Sequence, residues 1–166
     1  ITWMAVGWWM EKRPTFVGLL TGAVAGLATI TPAAGYVSPV AAVIIGIISG
    51  VVCYFAVALK NHLRWDDALD VWGVHGVGGA LGVVLLGVFA TLAFNPLGAD
   101  GLAAGNSAFF MKQLAAVAIS SVWAFAFTYG MLWLIDRVTP VKVDQQAEEN
   151  GLDAALHGET AYLGET

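Results

Sequence analysis

The residue with chemistry to offer is His75, in the stretch DDALDVWGVHGVGGALG. An imidazole both donates and accepts hydrogen bonds, and it is the side chain that changes charge near neutral pH in water. No Asp, Glu, Lys or Arg shares its apolar segment. Ionisable groups inside a membrane are expensive, face the protein interior or a wet cavity, and mark pathways or sites. Read as a regular α-helix, the segment puts Val71, Gly78, Gly79 and Gly82 on the face of His75. A face of glycines is packed or pore-lining. A neutral histidine bonded to a neighbouring helix fits the same pattern. Asp66, Asp67 and Asp70 precede the helix, and capping of free amides is the expected role for at least one of them. Asp70 stands only one helical turn and a half before His75, so either the imidazole is shallow or water reaches inward past Asp70.

The elements that must position this residue are membrane helices. Hydrophobic residues make up 58% of the 166 residues and charged ones 11%, against about 25% charged in soluble domains. From Pro14 to Leu59 there is no Asp, Glu, Lys or Arg. As one helix that run would be roughly 70 Å long, and a bilayer core is about 30 Å thick, so it crosses at least twice. Backbone amides in lipid need internal partners, which restricts spans to helices or closed barrels. Continuous apolar runs without strict alternation favour helices. Punctuation by Pro32, Gly35 and Pro39, by the polar run Lys60–Asp70 and by Asn95-Pro96-Leu97-Gly98 predicts full spans over about 16–34, 40–59, 71–92 and 113–135. Residues 1–10 read as the end of a further helix, making 1–142 the membrane part of a larger protein.

Assigning alternate loops to opposite sides places Lys12, Arg13, Lys60, Arg64, Arg137 and Lys142 together and leaves Lys112 alone. The positive-inside rule makes the first side cytoplasmic, and with it the tail, 143–166. That tail has no Lys or Arg and holds half of the chain's twelve acids. No basic stripe suggests nucleic-acid binding. Gly22 and Gly26, Gly46 and Gly50, and Gly78 and Gly82 repeat at the spacing that lets helices approach closely. Trp3, Trp8, Trp9, Trp65, Trp72 and Trp133 lie near predicted boundaries, as interfacial anchors do. Trp123 is deeper and is expected to serve packing. His62 reads as solvated loop polarity.

DVWGVHGVGG resembles the histidine-bearing helix of the ammonium transporter (Amt/MEP/Rh) family. TGAVAGLATITPAAGYVSP is similar to the helix and external turn that precede it there, and EENGLDAALHGETAY to the cytoplasmic tail of bacterial members. The three matches stand in the family's order and together span most of the chain, from Thr21 to Tyr162. The resemblance implies an all-α membrane protein, a polytopic helical bundle, of which this chain is a fragment of an eleven-helix fold. It would run from the end of the seventh helix through the eleventh.

On that resemblance the function is transport of ammonium or ammonia through a histidine-lined hydrophobic pore in each subunit of a homotrimer in the cell membrane, and the protein is not an enzyme. His75 matches the second of two pore histidines and Val71 an apolar wall position. Asp67, Asp70, Gly76, Gly78 and Gly79 would support the pore helix. Gly151, Leu152, Asp153, His157, Gly158 and Glu159 belong to a tail that docks a PII-type signalling protein. The acidic, glycine-containing tail also fits simple disorder. No cofactor and no metal ligand set is implied. The rival readings are a Rh-type channel for another small neutral solute or gas, a haem- or metal-binding intramembrane protein, and a structural membrane subunit with an inert His75. A haem or metal site would need ligand partners for the single intramembrane histidine.

Overall fold

In the computed structural model, which describes residues 1–159, helix boundaries fall where capping side chains and turn residues stand. Helix α1 (Thr2–Glu11) stops at Lys12, whose φ of 64° is left-handed. Helix α2 (Phe16–Ile30) starts where the Thr15 hydroxyl oxygen accepts from the Gly18 amide at 3.1 Å, and it closes in a 3₁₀ turn, Thr31–Ala33. Ser38 caps α3 (Pro39–His62) by accepting from the Ala41 amide, with Pro39 at the first helical position. A π-helical turn, Trp72–Val77, runs into α4 (Gly78–Phe89). The Asn106 side chain accepts from Phe109 at the start of α5 (Ser107–Asp136). Asp144 caps the short α6 (Gln145–Asn150), which is followed by a π-helical turn, Asp153–His157.

Four stretches are long and apolar enough to cross a membrane: Phe16–Ala33, Pro39–His62, Trp72–Phe89 and Ser107–Asp136, with mean hydropathy between 1.6 and 2.6. The chain is an all-α, polytopic membrane protein. At about 1.5 Å per residue even an 18-residue helix reaches roughly 27 Å, close to the thickness of the hydrocarbon layer. Three boundaries differ by three residues or more from the sequence expectation: the second span, α3, runs on to His62, past Leu59, and two others shift. The third helix stops at Phe89 instead of Leu92, because the following loop turns back on it. Thr91 donates its amide to the Tyr36 carbonyl, Gly101 to Ala90, and Leu92 to the Asp100 carboxylate. The fourth begins at Ser107, a turn and a half before Gln113, since Asn106 supplies a cap that the glycine-rich loop concealed.

Residues 1–120 form one unit. Within it α1 lies against both α2 and α3, and glycine makes that possible. A Cβ on Gly22 would come within 2.5 Å of the Trp3 Cβ, and one on Gly50 within 2.7 Å of the Thr2 Cβ. Trp3 is therefore a core residue at 6% exposure, packed with Ala25, Cys53, Val57 and Val74. The expectation of an interfacial anchor is corrected there, while Trp8 and Trp9 are exposed. A second apolar cluster joins Ala33, Val37, Ala41, Ile45 and Leu85 toward the other end. Between the clusters sits a polar knot. The Ser49 hydroxyl donates to the Ala25 carbonyl at 3.0 Å and lies 2.8 Å from the Thr29 hydroxyl, with Cys53 Sγ beside it. Hydrogen bonds between buried hydroxyls hold helices together where lipid provides no hydrophobic drive.

The described residues from 121 onward form the second unit. Its helical part exposes Trp123, Phe125, Phe127 and Tyr129, with Trp123 stacked on Phe127 and Phe125 on Tyr129. Arg137 caps this row with its guanidinium 4.1 Å above the Trp133 ring, a cation–π contact.

Candidate functional site

His75 stands in the π-helical turn between two firm anchorages. The first is electrostatic. Asp67 accepts the Val71 amide on Oδ1 and the Trp72 amide on Oδ2, both at 2.9 Å. One carboxylate thus satisfies two of the free donors at the start of the helix, where negative charge also suits the dipole. Asp70 does not cap with its side chain. Its backbone is left-handed, with φ 56°, and its carboxylate turns to Lys60 in the last turn of α3. Lys60 Nζ donates to Asp70 Oδ1 and to the Asp67 carbonyl, both at 2.6 Å. Lys60 is only 5% exposed. The sequence puts it at the start of the polar run Lys60–Asp70, beyond the helix end at Leu59. The clue was that a lysine ending a long apolar helix faces three acids within the next ten residues. Asp66 is exposed, and so is His62, on the last turn of α3.

The second anchorage is steric. Gly78 rests on the polar knot, where a Cβ would lie 3.0 Å from Thr29 Oγ1 and 3.3 Å from Cys53 Sγ. Gly82 is tighter, since its Cβ would fall 2.1 Å from the Thr29 carbonyl oxygen. Both glycines are buried, Gly78 against α2 and α3 and Gly82 against the end of α2. His75, Val71 and Gly76 are exposed, and Gly79 is half-buried with nothing within 4 Å of its Cβ position. The face drawn for a regular α-helix, with Gly78 and Gly82 beside His75, is therefore corrected. A π turn advances about 80° per residue where an α turn advances about 100°. The wider turn rotates His75 away from the glycines that pack.

The upshot is an imidazole on the open side of a rigidly seated helix, with Val71 and Gly79 for neighbours along that side. No carboxylate or thiol accompanies it on this helix; Cys53 lies in the knot on α3. Trp72 meets Trp65 edge to face at 5.0 Å at the capped end.

The tail residues are placed separately. Gly151, with φ 91°, ends α6, and Leu152 leads into the π turn that contains Asp153 and His157. Gly158, with φ 68°, ends that turn, and the Glu159 amide donates to the Asp153 carbonyl. All six are exposed. The left-handed backbone at two positions explains why glycine stands there. Thr160, Ala161 and Tyr162 of the tail motif, with the remainder of 160–166, lie outside the described residues.

Comparison with known proteins gives one answer. The family model described as Ammonium Transporter Family matches residues 1–162. An ammonium transporter of Bacillus subtilis is 44% identical over 96% of this chain and 40% of its own length. Ammonium transporter Amt1 of Archaeoglobus fulgidus is 40% identical, with the same coverage of each. The crystal structure of Saccharomyces cerevisiae Mep2 superposes with a TM-score of 0.85 at 36% identity, covering 99% of this chain and 40% of that one. Candida albicans Mep2 gives 0.81 at 38% identity, covering 87% and 33%. The chain spans about a third to two fifths of the length of the relatives it matches. Its capped histidine helix, its glycine-seated bundle and these likenesses place it in the Ammonium Transporter Family.

Proposed function

We propose that this chain supplies one wall of an ammonium or ammonia passage, with His75 and Val71 facing the substrate. The observation that carries the reading is the placement of His75. It is turned away from α2 and α3, exposed, and fixed by the Asp67 cap below and the Gly78 and Gly82 seats above. In a family member the opposite wall would come from the remaining helices. The chemistry suits the cargo. Bare ammonium loses much hydration free energy in a medium of low dielectric, and neutral ammonia escapes most of that cost. A neutral imidazole can accept from or donate to it where the other surfaces are apolar. Relatives bearing the name ammonium transporter support the assignment.

The passage is one per subunit of a homotrimer in the cell membrane, with the tail on the cytoplasmic side. The six basic residues that alternate loops assign to one side support that orientation. In the full-length transporter, His75→Ala should abolish or alter methylammonium uptake. Uptake unchanged in rate and selectivity counts against the reading.

The tail, 143–166, with Gly151, Leu152, Asp153, His157, Gly158 and Glu159, is the docking element for a PII-type protein. Its two left-handed glycines give it a defined path. Removing residues 144–166 should weaken capture of the PII protein on membranes, and full capture would reject the role.

A further inference from the structure

Gly73 has no part in the chemistry, yet its surroundings bear on where the imidazole points. It is buried against α3, and a Cβ there would lie 2.6 Å from Val57 Cγ2 and 3.1 Å from the Val57 amide nitrogen. No such approach is open to any other residue. Five positions on, Gly78 is pressed onto Thr29 and Cys53, and Gly82 onto the Thr29 carbonyl. Five residues of α-helix turn through about 500°, which leaves Gly73 and Gly78 roughly 140° apart. Both could not then face the bundle. Five residues of π-helix turn through about 400°, and the mismatch shrinks to roughly 40°. The observed turn from Trp72 to Val77 is π-helical. It thus reconciles two close-approach seats whose spacing does not suit an α-helix. The residues that bulge outward from the widened turn are His75 and Gly76, both exposed.

Each clamp is independently secured. On the near side Asp67 caps the helix and Lys60 grips Asp70, while the Val74 amide already bonds to the Asp70 carbonyl. On the far side Gly82 lies so close to the Thr29 backbone that no side chain fits between them. The register difference between the clamps has to be absorbed between them. The π turn is the place, and a π turn inside an α-helix commonly marks a functional position.

We propose that Gly73 is a positioning residue: its seat against Val57 holds the π turn and so aims His75 away from α2 and α3. This rests on the reading of His75 as a passage residue, and the test separates the two. In the full-length transporter, Gly73→Ala pushes this end of the helix off α3, and methylammonium uptake falls by about tenfold or more. The double variant Gly73→Ala, Val57→Ala regains most of it, because the smaller side chain reopens the seat. Deletion of Gly76 lets both seats engage through an ordinary α turn. That variant should insert and assemble normally, yet lose uptake.

Aim is measured without transport by placing His75→Cys in each background and timing its reaction with a soluble methanethiosulfonate. The rate should fall about tenfold with Gly73→Ala and recover with Val57→Ala. Unchanged uptake and labelling in Gly73→Ala overturn the proposal, as does failure of Val57→Ala to restore either. If His75→Ala itself leaves uptake intact, the passage reading fails. The labelling rates still decide whether Gly73 sets the aim of position 75.

Discussion

Lys60 Nζ lies 2.6 Å from Asp70 Oδ1, and with this single contact the end of α3 is tied to the start of the helix that carries His75. The ammonium side chain is nearly enclosed, with 6% of it exposed, while the carboxylate keeps 32%. The same ammonium also donates to the Asp67 carbonyl. Asp67 in turn uses its carboxylate for the helix amides. One lysine thereby fixes both the loop and the cap.

That arrangement sets the cost of breaking it. Removing one partner of a fully buried pair costs about 3–5 kcal/mol, and an exposed pair is worth less than about 1 kcal/mol. Asp70 sits between these limits. Lys60→Met should lower the stability of the detergent-solubilised protein by roughly 1–3 kcal/mol. Asp70→Asn should do less, since asparagine tolerates the left-handed backbone that Asp70 adopts. A double-mutant cycle of thermal or denaturant unfolding reads the coupling directly. Additive effects of the two substitutions would mean that the ion pair contributes nothing.

Asp67 gives a sharper expectation, because its two oxygens serve two amides. Loss of one capping bond typically costs about 1 kcal/mol, so Asp67→Ala should cost about 2 kcal/mol. Asp67→Asn keeps one acceptor oxygen and should cost about half as much. Hydrogen exchange at the Val71 and Trp72 amides localises the effect. Both should exchange faster in Asp67→Ala, and protection equal to wild type would remove Asp67 from the cap. If His75 works as proposed, uptake declines in the same order as protection.

How much of this was legible in the sequence follows from the kind of information each feature needs. The helices were readable because uncharged runs of that length have few alternatives in lipid. His75 stood out because an imidazole is conspicuous among Val and Gly. Asp67 as a cap was within reach of helix-end rules, though those rules could not choose between Asp66, Asp67 and Asp70. Lys60 was misplaced because burial of a charge depends on where Asp70 arrives in space. Trp3 was misread for a like reason, since an aromatic near a boundary becomes core only when Gly22 opposite leaves room for it. The π turn was invisible. The residues from Trp72 to Val77, two of them glycine, carry no signal that separates a π turn from an α turn, and the widened turn follows from two glycine seats on different neighbours. The sequence spacing of Gly73 and Gly78 holds that information only once Val57, Thr29 and Cys53 are known to be the surfaces they meet.

The glycine pairs sharpen into a prediction about which members bear weight. Spacing alone treats Gly78, Gly79 and Gly82 alike, whereas their surroundings do not. At Gly82 a methyl group would fall 2.1 Å from a backbone oxygen of Thr29, and the backbone of a packed helix has no rotamer with which to retreat. At Gly79 nothing lies within 4 Å. Overpacking costs about 1–3 kcal/mol where side chains can adjust, and a backbone contact puts Gly82→Ala at or above that range. Separation of the two helices would also pull Gly78 off the Thr29–Ser49 knot and leave its hydroxyls less enclosed. Gly82→Ala should therefore reduce the amount of folded protein in the membrane and its midpoint of thermal unfolding. Gly79→Ala should leave both near wild type, alanine being the better helix former. Gly79 does lie on the side of His75, so under the proposed function its added methyl narrows the passage and slows methylammonium more than ammonium. Equal stability of the two variants, measured side by side in the same detergent, would show that the α2–α4 contact is looser than the Thr29 carbonyl implies.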